Sequence, residues 1–347
     1  MIVVMERGAT REQIDDVVAR VEGMGLGAHL SAGEERTIVG VVGSPLPPTL
    51  DELFEQHAGV ERVVRITTKY KLSGWDFHPQ KTKFRVRDVL IGGPEVTVIG
   101  GPCSVESEEQ TLATARAVKA AGGKMLRGGA FKPRTSPYEF RGLGKRGLEI
   151  LALAREETGL AVITEVMTPS DVELVGAYTD VFQIGARNAH NYLLLEEVGK
   201  AGKPLMLKRG MSMQSEEWLL AAEYVMAQGS RDVILCERGI RTFETATRNT
   251  LDVGAVAVAR GMSHLPVFVD PSQASGKRAI VPALALAGVA AGADGLIVEV
   301  HPDPEHALSD GAQSLTLQEF AALMPRLAGV AAAVGRRLPV PEKVAVA

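Results

Sequence analysis

The chain of 347 residues has little of what marks exported, membrane-spanning or nucleic-acid-binding proteins. No apolar run approaches the roughly 20 residues that cross a bilayer, and the amino terminus lacks the basic flank and long apolar core of a signal peptide. The net charge of −4 offers no general attraction to nucleic acid or anionic membrane. We therefore predict a cytoplasmic protein with neither partner. Its two cysteines, Cys103 and Cys236, are then not expected to form a structural disulfide.

The sequence does contain a repeat of eight short apolar runs, each followed by a charged or polar cluster. The runs occupy 96–99, 124–126, 161–164, 181–184, 204–207, 233–236, 266–269 and 295–298. Stretches of helical period, rich in Ala, Leu and Glu, separate them. Such an alternation is typical of a parallel sheet covered by helices, and eight units predict an α/β fold, the (β/α)8 TIM barrel. Reactive residues of this barrel lie at the carboxyl ends of the strands, where the charges fall here.

Residues 1–70 carry a different pattern. They predict a strand at 2–5, a helix at 10–24, strands at 28–31 and 37–42, a helix at 50–57 and a strand at 60–66. This β-α-β-β-α-β order predicts a small ferredoxin-like (ACT-like) α+β domain. Residues 71–95 are predicted to form a linker and a hairpin that closes the barrel floor. The catalytic barrel then spans 96–335, and a loose C-terminal tail follows at 336–347.

Basic residues recur at the ends of five predicted strands. They are Arg127, Lys132, Arg134, Arg187, Lys208, Arg209 and Arg238. Arginine offers a fixed pair of donors and lysine a compact charge, both suited to phosphate and carboxylate. Any one of these residues alone could be a solvated loop charge. Their recurrence at successive strand ends favours one pocket that binds more than one anionic group.

A second set of residues could hold a metal ion. Cys103 and Glu299 follow the first and last barrel strands, and Asp310 lies in the loop after the last one. A soft thiolate with hard carboxylates suits a borderline divalent ion such as Mn²⁺, Fe²⁺, Co²⁺ or Zn²⁺, acting as a Lewis acid on a carbonyl. The residues alone leave an alternative open, in which Cys103 is inert and the two acids accept hydrogen bonds from loop backbone.

Six strings taken together resemble a known family. They are Gly-Pro-Cys-Ser-Val-Glu at 101–106, the segment 126–138 with Lys-Pro-Arg-Thr-Ser-Pro-Tyr, Gln-Ile-Gly-Ala-Arg-Asn at 183–188, Leu-Lys-Arg-Gly at 207–210, Cys-Glu-Arg-Gly at 236–239 and Glu-Val-His-Pro at 299–302. This set resembles 3-deoxy-D-arabino-heptulosonate 7-phosphate (DAHP) synthase of the class with an N-terminal regulatory domain. The resemblance covers nearly the whole chain. It implies a transferase that condenses phosphoenolpyruvate with erythrose 4-phosphate, the committed step of the shikimate pathway towards aromatic amino acids.

The resemblance also implies roles for individual residues. It makes Arg127, Lys132, Arg187, Lys208 and Arg238 the binders of phosphoenolpyruvate, Arg134, Thr135 and Ser136 the binders of erythrose 4-phosphate, and Cys103, Glu299 and Asp310 the metal ligands. Catalytic roles are expected for Lys132, Arg127 and Glu165. For Glu165 two alternatives stay open: it positions the water that the reaction consumes, or it forms a salt bridge with an arginine of the pocket.

One position departs from the family pattern. Where the family has a metal-binding histidine after Asp-Pro-Ser, this chain has Gln273. A neutral amide oxygen is a weaker ligand for a borderline ion than an imidazole nitrogen. We therefore expect a site with Gln273 as an additional candidate ligand, weakened or shifted towards Mn²⁺ or Mg²⁺. Loss of metal dependence or of activity stays open. His264 and His301 are alternative imidazole ligands, although a lone histidine at a strand end is more often a hydrogen-bonded structural residue.

The resemblance further implies regulation and assembly. The N-terminal domain is expected to sense an aromatic amino acid such as tyrosine or phenylalanine, held between two such domains of a homotetramer; a purely structural oligomerisation domain is the alternative. Two other functions are weighed against DAHP synthase. One is the related 3-deoxy-octulosonate 8-phosphate synthase, and the other is a catalytically weakened barrel that binds a partner such as chorismate mutase.

Overall fold

The computed structural model describes residues 1–33, 36–43, 46, 50–64, 69–132, 138–339 and 341. The chain divides into two compact units. The first comprises Met1–Lys81 with Met262–His264, and the second comprises Thr82–Gly261 with Leu265–Ala347.

The first unit is a four-stranded antiparallel sheet with two helices. Its elements are β1 (Ile2–Met5), α1 (Arg11–Gly23), β2 (Gly27–Ala32), β3 (Thr37–Val42), α2 (Leu50–Glu55) and β4 (Val60–Val64). The strand order is β2-β3-β1-β4. This order confirms the predicted ferredoxin-like domain. Helix α1 begins where predicted, because Thr10 and Gln13 form a reciprocal capping box at its first turn.

The two faces of this sheet have different environments. Val3 and Met5 of β1 belong to a buried core with residues of α1 and α2, including Val17 and Phe54. Side chains alternate along a strand, so Ile2 points to the opposite face. The two helices therefore pack on one face of the sheet only. The other face can pack against the segment that follows β4.

The second unit is a closed barrel of eight parallel strands. They are β7 (Thr97–Gly101), β8 (Met125–Arg127), β9 (Ala161–Glu165), β10 (Val181–Ile184), β11 (Leu205–Lys208), β12 (Val233–Glu237), β13 (Val267–Val269) and β14 (Gly295–Glu299), paired in that order with β14 against β7. The predicted (β/α)8 barrel is confirmed, and each predicted apolar run overlaps one of its strands. All eight strands are buried along their length, as expected for strands covered on both faces.

Helices connect the successive barrel strands, and one more helix follows the last strand. They are α3 (Glu108–Ala120), α4 (Lys145–Thr158), α5 (Val172–Tyr178), α6 (Tyr192–Lys200), α7 (Ser215–Ala227), α8 (Val253–Met262), α9 (Pro271–Ser275), α10 (Val281–Ala290) and α11 (Leu317–Ala333). Within the described ranges, no helix is both long enough and apolar enough to cross a membrane.

A short hairpin closes one end of the barrel. Strands β5 (Phe84–Val86) and β6 (Val89–Ile91) pair in antiparallel register. Their apolar side chains pack with the inward residues at the starts of the barrel strands, such as Met125 and Val181. The turn lies at Arg87, which adopts a left-handed φ of 54°. The hairpin therefore covers the end opposite to the carboxyl ends of the strands.

The predicted loose tail differs from the structure at its start. The Arg336 guanidinium donates to Asp294 Oδ1 at 2.7 Å and to three backbone carbonyl oxygens. Arg337 forms a bridge with Glu95, and Leu338 is buried. The ion pair between Arg336 and the fully buried Asp294 therefore fixes the start of the tail on the barrel.

Candidate active site

A cavity of about 440 Å³ opens at the carboxyl ends of the barrel strands. The described residues that line it are Arg127, Lys132, Glu139, Glu165, Gln183, Gly185, Ala186, Arg187, Lys208, Met211, Arg238, Arg241, Arg248, Asn249, Gln273 and Asp310. Seven of them are basic and three are acidic. A cavity with this excess of positive charge suits a ligand that carries several negative charges.

Arg127 ends β8 and lies at the bottom of the cavity. Its Nη1 donates to Glu299 Oε1 at 2.7 Å, and its Nη2 donates to the Cys103 carbonyl oxygen at 3.4 Å. Its Nε is buried with no hydrogen-bond partner among the described residues. Burial alone would lower the pKa of Arg127, but the negative groups around it, with Glu299 first among them, together outweigh burial and raise that pKa. The side chain is therefore a permanent cation with one donor to spare.

Lys132 and Glu165 lie on the same cavity. Lys132 Nζ donates to the Cys103 carbonyl oxygen at 3.1 Å. Glu165 ends β9 and is 7% exposed. A Cβ added at Gly185 would lie 2.0 Å from Glu165 Oε1. Glycine at that position therefore leaves room for the carboxylate.

Lys208 and Arg209 are neighbours in sequence with different surroundings. Lys208 lines the cavity, and its Nζ donates to Asp270 Oδ2 at 2.6 Å. Arg209 is instead ion-paired with Glu237 at 3.1 Å and Asp252 at 2.9 Å. It does not appear among the described residues that line the cavity. The prediction that Arg209 converges on the same mouth is wrong, because adjacent strand residues point to opposite faces.

The remaining predicted anion binders differ in exposure. Arg238 is buried, and its Nη2 donates to Gln273 Oε1 at 2.9 Å. Burial lowers its pKa. Arg187 is exposed on the cavity wall and forms no ion pair with a residue that the structure describes. Arg134, Thr135 and Ser136 lie outside the described residues.

The three predicted metal ligands come together. One ligand atom each of Cys103, Glu299 and Asp310 lie within 4.8 Å of one another. Burial, and next the charge of Glu299, raises the pKa of Cys103 to about 11. The neutral thiol donates to Asp310 Oδ2 at 3.3 Å. Burial alone would raise the pKa of Asp310, but Arg248 and then Gln273 hold it well below its usual range.

These donors suit a divalent cation. A thiol and two carboxylates are the mixed ligand set of borderline ions, and a bound cation stabilises the thiolate that ligation requires. Gln273 lies beside them: its Nε2 donates to Glu299 Oε1 at 2.7 Å and to Asp310 Oδ2 at 2.8 Å. The residues present therefore fit a metal ion, with the amide of Gln273 beside the three ligand candidates.

The two alternative histidines do not belong to this cluster. His301 Nε2 lies 3.3 Å from Glu106 Oε2, and its Nδ1 accepts from the backbone of Asp303. His264 belongs to the first unit and contacts the Leu72 carbonyl oxygen. Neither histidine lies in the cluster of Cys103, Glu299 and Asp310, and both form hydrogen bonds typical of a structural residue. The second cysteine, Cys236, is fully buried in β12.

Two arginines of the cavity were not singled out from the sequence. Arg241 and Arg248 both lie in the loop between β12 and α8 and line the cavity wall. Arg248 Nη1 donates to Asp310 Oδ1 and to Gln313 Oε1, both at 3.1 Å. The only sign of their role in the sequence is that the loop contains Arg241 and Arg248 and directly follows another arginine, Arg238. The structure thus adds a cation that holds a metal-ligand candidate in place.

Comparison with known proteins agrees with this geometry. The model of the DAHP synthetase I family matches residues 67–334, and that of the DAHP synthase ferredoxin-like domain matches residues 1–68. The chain belongs to the DAHP synthase family. It is therefore an enzyme, as predicted. Phospho-2-dehydro-3-deoxyheptonate aldolase of Thermotoga maritima is 49% identical over 96% of this chain and 99% of its own length.

A solved structure and a second group of relatives match this chain over different lengths. The crystal structure of DAHP synthase from Thermotoga maritima has a TM-score of 0.78, 48% identity and coverage of 97% of this chain and 99% of that one. The 2-dehydro-3-deoxyphosphooctonate aldolase of Syntrophotalea carbinolica is 34% identical but matches only 72% of this chain, against 96% of its own length. The full-length similarity therefore favours DAHP synthase over the octulosonate enzyme.

Proposed function

We propose that this enzyme condenses phosphoenolpyruvate with erythrose 4-phosphate to give DAHP and inorganic phosphate. The observation that carries the proposal is the cavity with seven basic side chains at the strand ends of a barrel from this family. Both substrates carry a phosphate, and one also carries a carboxylate. Cations from several strand ends offset the repulsion between two such anions in one cavity.

The proposed reaction gives each predicted site residue a role. Arg127, Lys132, Arg187, Lys208 and Arg238 bind the phosphate and carboxylate of phosphoenolpyruvate, and Arg134, Thr135 and Ser136 bind the phosphate of the sugar. The methylene carbon of phosphoenolpyruvate then forms a bond to the aldehyde carbon. Water adds to the carbon that carries the phosphate, and phosphate leaves. Holding both anions in fixed positions supplies much of the rate by proximity.

A divalent ion completes the proposed site. Bound by Cys103, Glu299 and Asp310, it would supply a Lewis acid for the aldehyde carbonyl. Mn²⁺, Fe²⁺, Co²⁺ and Zn²⁺ all suit a thiolate with two carboxylates, and the amide of Gln273 shifts the preference towards Mn²⁺ or Mg²⁺.

A product assay tests the substrate assignment. With phosphoenolpyruvate as the common substrate, we expect kcat/KM for erythrose 4-phosphate to exceed that for arabinose 5-phosphate by at least about 10²-fold. A site built around one sugar phosphate leaves polar groups unpaired with another. Release of phosphate and formation of the ketose acid are measured in parallel. Preference for arabinose 5-phosphate would establish the octulosonate alternative, and turnover of neither sugar would favour the non-catalytic barrel.

Glu165 is proposed to position the attacking water. The carboxylate is buried on the cavity wall, and the described residues include no ion-pair partner for it. Replacement of Glu165 by Gln is expected to lower kcat by about 10²-fold, the lower range for a positioned acid or base, with KM for phosphoenolpyruvate changed less than about threefold.

Two further variants check this role. Gly185→Ala is expected to lower kcat in the same way, because its new methyl group must displace Glu165 Oε1. Glu173→Gln, on the exposed surface of α5, is the matched control. If the Glu165→Gln variant loses stability in urea but keeps its kcat, the carboxylate has a structural role only.

The first unit contains a cavity of about 530 Å³ on the sheet face away from its helices. Ile2, Val4 and Ile38 form its floor, Trp75 and Pro79 line it, and Arg36, Arg62 and Asp76 provide charge. An apolar floor with opposite charges at its edge matches the side chain, carboxylate and ammonium of an amino acid. We propose this cavity as the place where the effector, tyrosine or phenylalanine, binds.

Arg62 provides the test of the effector site. Arg62→Ala is expected to reduce inhibition by tyrosine or phenylalanine at least about tenfold, since a paired charge contributes roughly 1.5–3 kcal/mol, with uninhibited turnover retained. Arg11→Ala, an exposed arginine of α1 paired with Asp15, is the control. Unchanged inhibition in the Arg62 variant would place the effector elsewhere.

Several predictions about organisation remain proposals. They are the domain boundaries at 1–70, 71–95, 96–335 and 336–347, the homotetramer and the chorismate mutase partner. Sedimentation velocity of the full chain, alone and with chorismate mutase, tests the assembly: a single tetrameric species supports the homotetramer, and no change on addition argues against the partner.

A further inference from the structure

The amide of Gln273 has only one orientation that satisfies its neighbours. Its Nε2 donates to Glu299 and Asp310, and its Oε1 accepts from Arg238. Carboxylates at neutral pH only accept hydrogen bonds and a guanidinium only donates them. The two amide hydrogens are therefore turned towards the carboxylates that would bind a cation.

A cation in this cluster is incompatible with that orientation. The amide nitrogen has no lone pair to offer a metal, and its hydrogens carry the positive end of the amide dipole. Only the oxygen can act as a ligand. The backbone of Gln273 cannot move readily, because its N–H donates to Asp270 and its carbonyl accepts from Asn249. The side-chain amide must therefore turn by about half a revolution when a cation binds.

Turning the amide changes the surroundings of Arg238. The amide NH₂ would then face the guanidinium, and Arg238 would lose the acceptor for its Nη2. Arg238 is 6% exposed, and its Nη1 is already a buried donor with no hydrogen-bond partner among the described residues. A buried guanidinium without acceptors is costly. An anion in the adjoining cavity would restore both acceptors.

We propose that Gln273 couples cation binding by Cys103, Glu299 and Asp310 to anion binding by Arg238, so that each ligand strengthens the other. The proposal rests on the metal site proposed above and adds to it a coupling between the cation and anion subsites. Without an anion, the amide favours the cation-free cluster. When an anion accepts the hydrogen bonds of Arg238, the amide can turn so that its oxygen faces the cation. Linkage requires that both ligands show the same coupling factor.

The test is a Mn²⁺ titration of the metal-free full chain with and without inorganic phosphate. Free Mn²⁺ is followed by its electron paramagnetic resonance signal, with Mn²⁺–phosphate association measured in buffer alone. We expect saturating phosphate to lower the Kd for Mn²⁺ about tenfold. Calorimetry of phosphate binding, with and without Mn²⁺, should give the same factor.

Two variants separate this coupling from simple attraction between opposite charges. Gln273→Glu has an oxygen at both ends, so it can bind a cation and accept from Arg238 together; its coupling factor is expected to fall below about two. Gln273→Met offers Arg238 no acceptor, so phosphate should bind more tightly than to the wild type without Mn²⁺. Circular dichroism verifies that each variant is folded.

The outcomes distinguish two failures. If Mn²⁺ binds the wild type with the same Kd in the presence and absence of phosphate, or if the Glu variant shows the same factor as the wild type, the coupling is refuted and the metal site stands. If Mn²⁺ does not bind under either condition, both are refuted.

Discussion

Replacement of Lys132 by methionine is expected to lower kcat/KM by about 10²- to 10³-fold. The ammonium group lies in the cavity, where its Nζ donates to the Cys103 carbonyl oxygen. This carbonyl belongs to a metal-ligand candidate, so the ammonium charge lies next to the proposed metal site and lines the cavity proposed to bind the anions. Loss of one preorganised charged donor at developing negative charge has an effect of this size. Methionine keeps most of the apolar length of the side chain.

Steady-state kinetics with both substrates measure this effect. Lys200→Met serves as the control, because Lys200 is exposed on α6 and pairs only with Glu197 at 3.2 Å among the described residues. The urea midpoint of each variant shows whether the barrel is intact. A loss smaller than about tenfold in a stable Lys132 variant would remove the residue from the proposed machinery.

Removal of divalent ions is expected to reduce turnover by at least about 10²-fold, since a Lewis acid contributes several kcal/mol to the stabilisation of developing charge. Activity should return when Mn²⁺, Fe²⁺, Co²⁺, Zn²⁺ or Mg²⁺ is added singly. Mn²⁺ should restore it best, because Glu299, Asp310 and the Gln273 amide all offer oxygen. Initial rates after treatment with a chelator and dialysis provide the measurement.

Three variants sharpen this prediction. Cys103→Ala is expected to weaken Mn²⁺ binding, whereas Cys236→Ala, which removes the other buried cysteine, is the matched control. Gln273→His should tighten binding of Zn²⁺ and Co²⁺, because imidazole is the better ligand for borderline ions. Full activity after complete removal of metal, confirmed by elemental analysis, would contradict the proposed role of the cluster.

Much of the barrel could be predicted from the sequence because its signal is local. A parallel strand covered on both faces must be apolar throughout, and the run predicted at 181–184 coincides with β10. The hairpin was harder. Its strands at 84–86 and 89–91 are short, and only their packing against the inner barrel residues shows which end they close.

The site was predictable in part. The sequence placed cations at strand ends but could not separate Lys208 from Arg209, because a strand buried on both faces carries no polar alternation to set its register. In the structure Lys208 lies on the same side of β11 as Met206, which packs inside the barrel. Arg209 therefore faces away and pairs with Glu237 and Asp252.

The sequence by itself determined the two folds, the family and most of the cations predicted for the cavity, because these depend on patterns along the chain. Only the tertiary structure decided the arrangement of Gln273. Its neighbours Glu299, Asp310 and Arg238 come from three different segments, and their fixed donor and acceptor chemistry sets the direction of the amide. The two ends of an amide have nearly the same shape, so its hydrogen-bond partners decide which way it points. These partners come together only when the barrel closes.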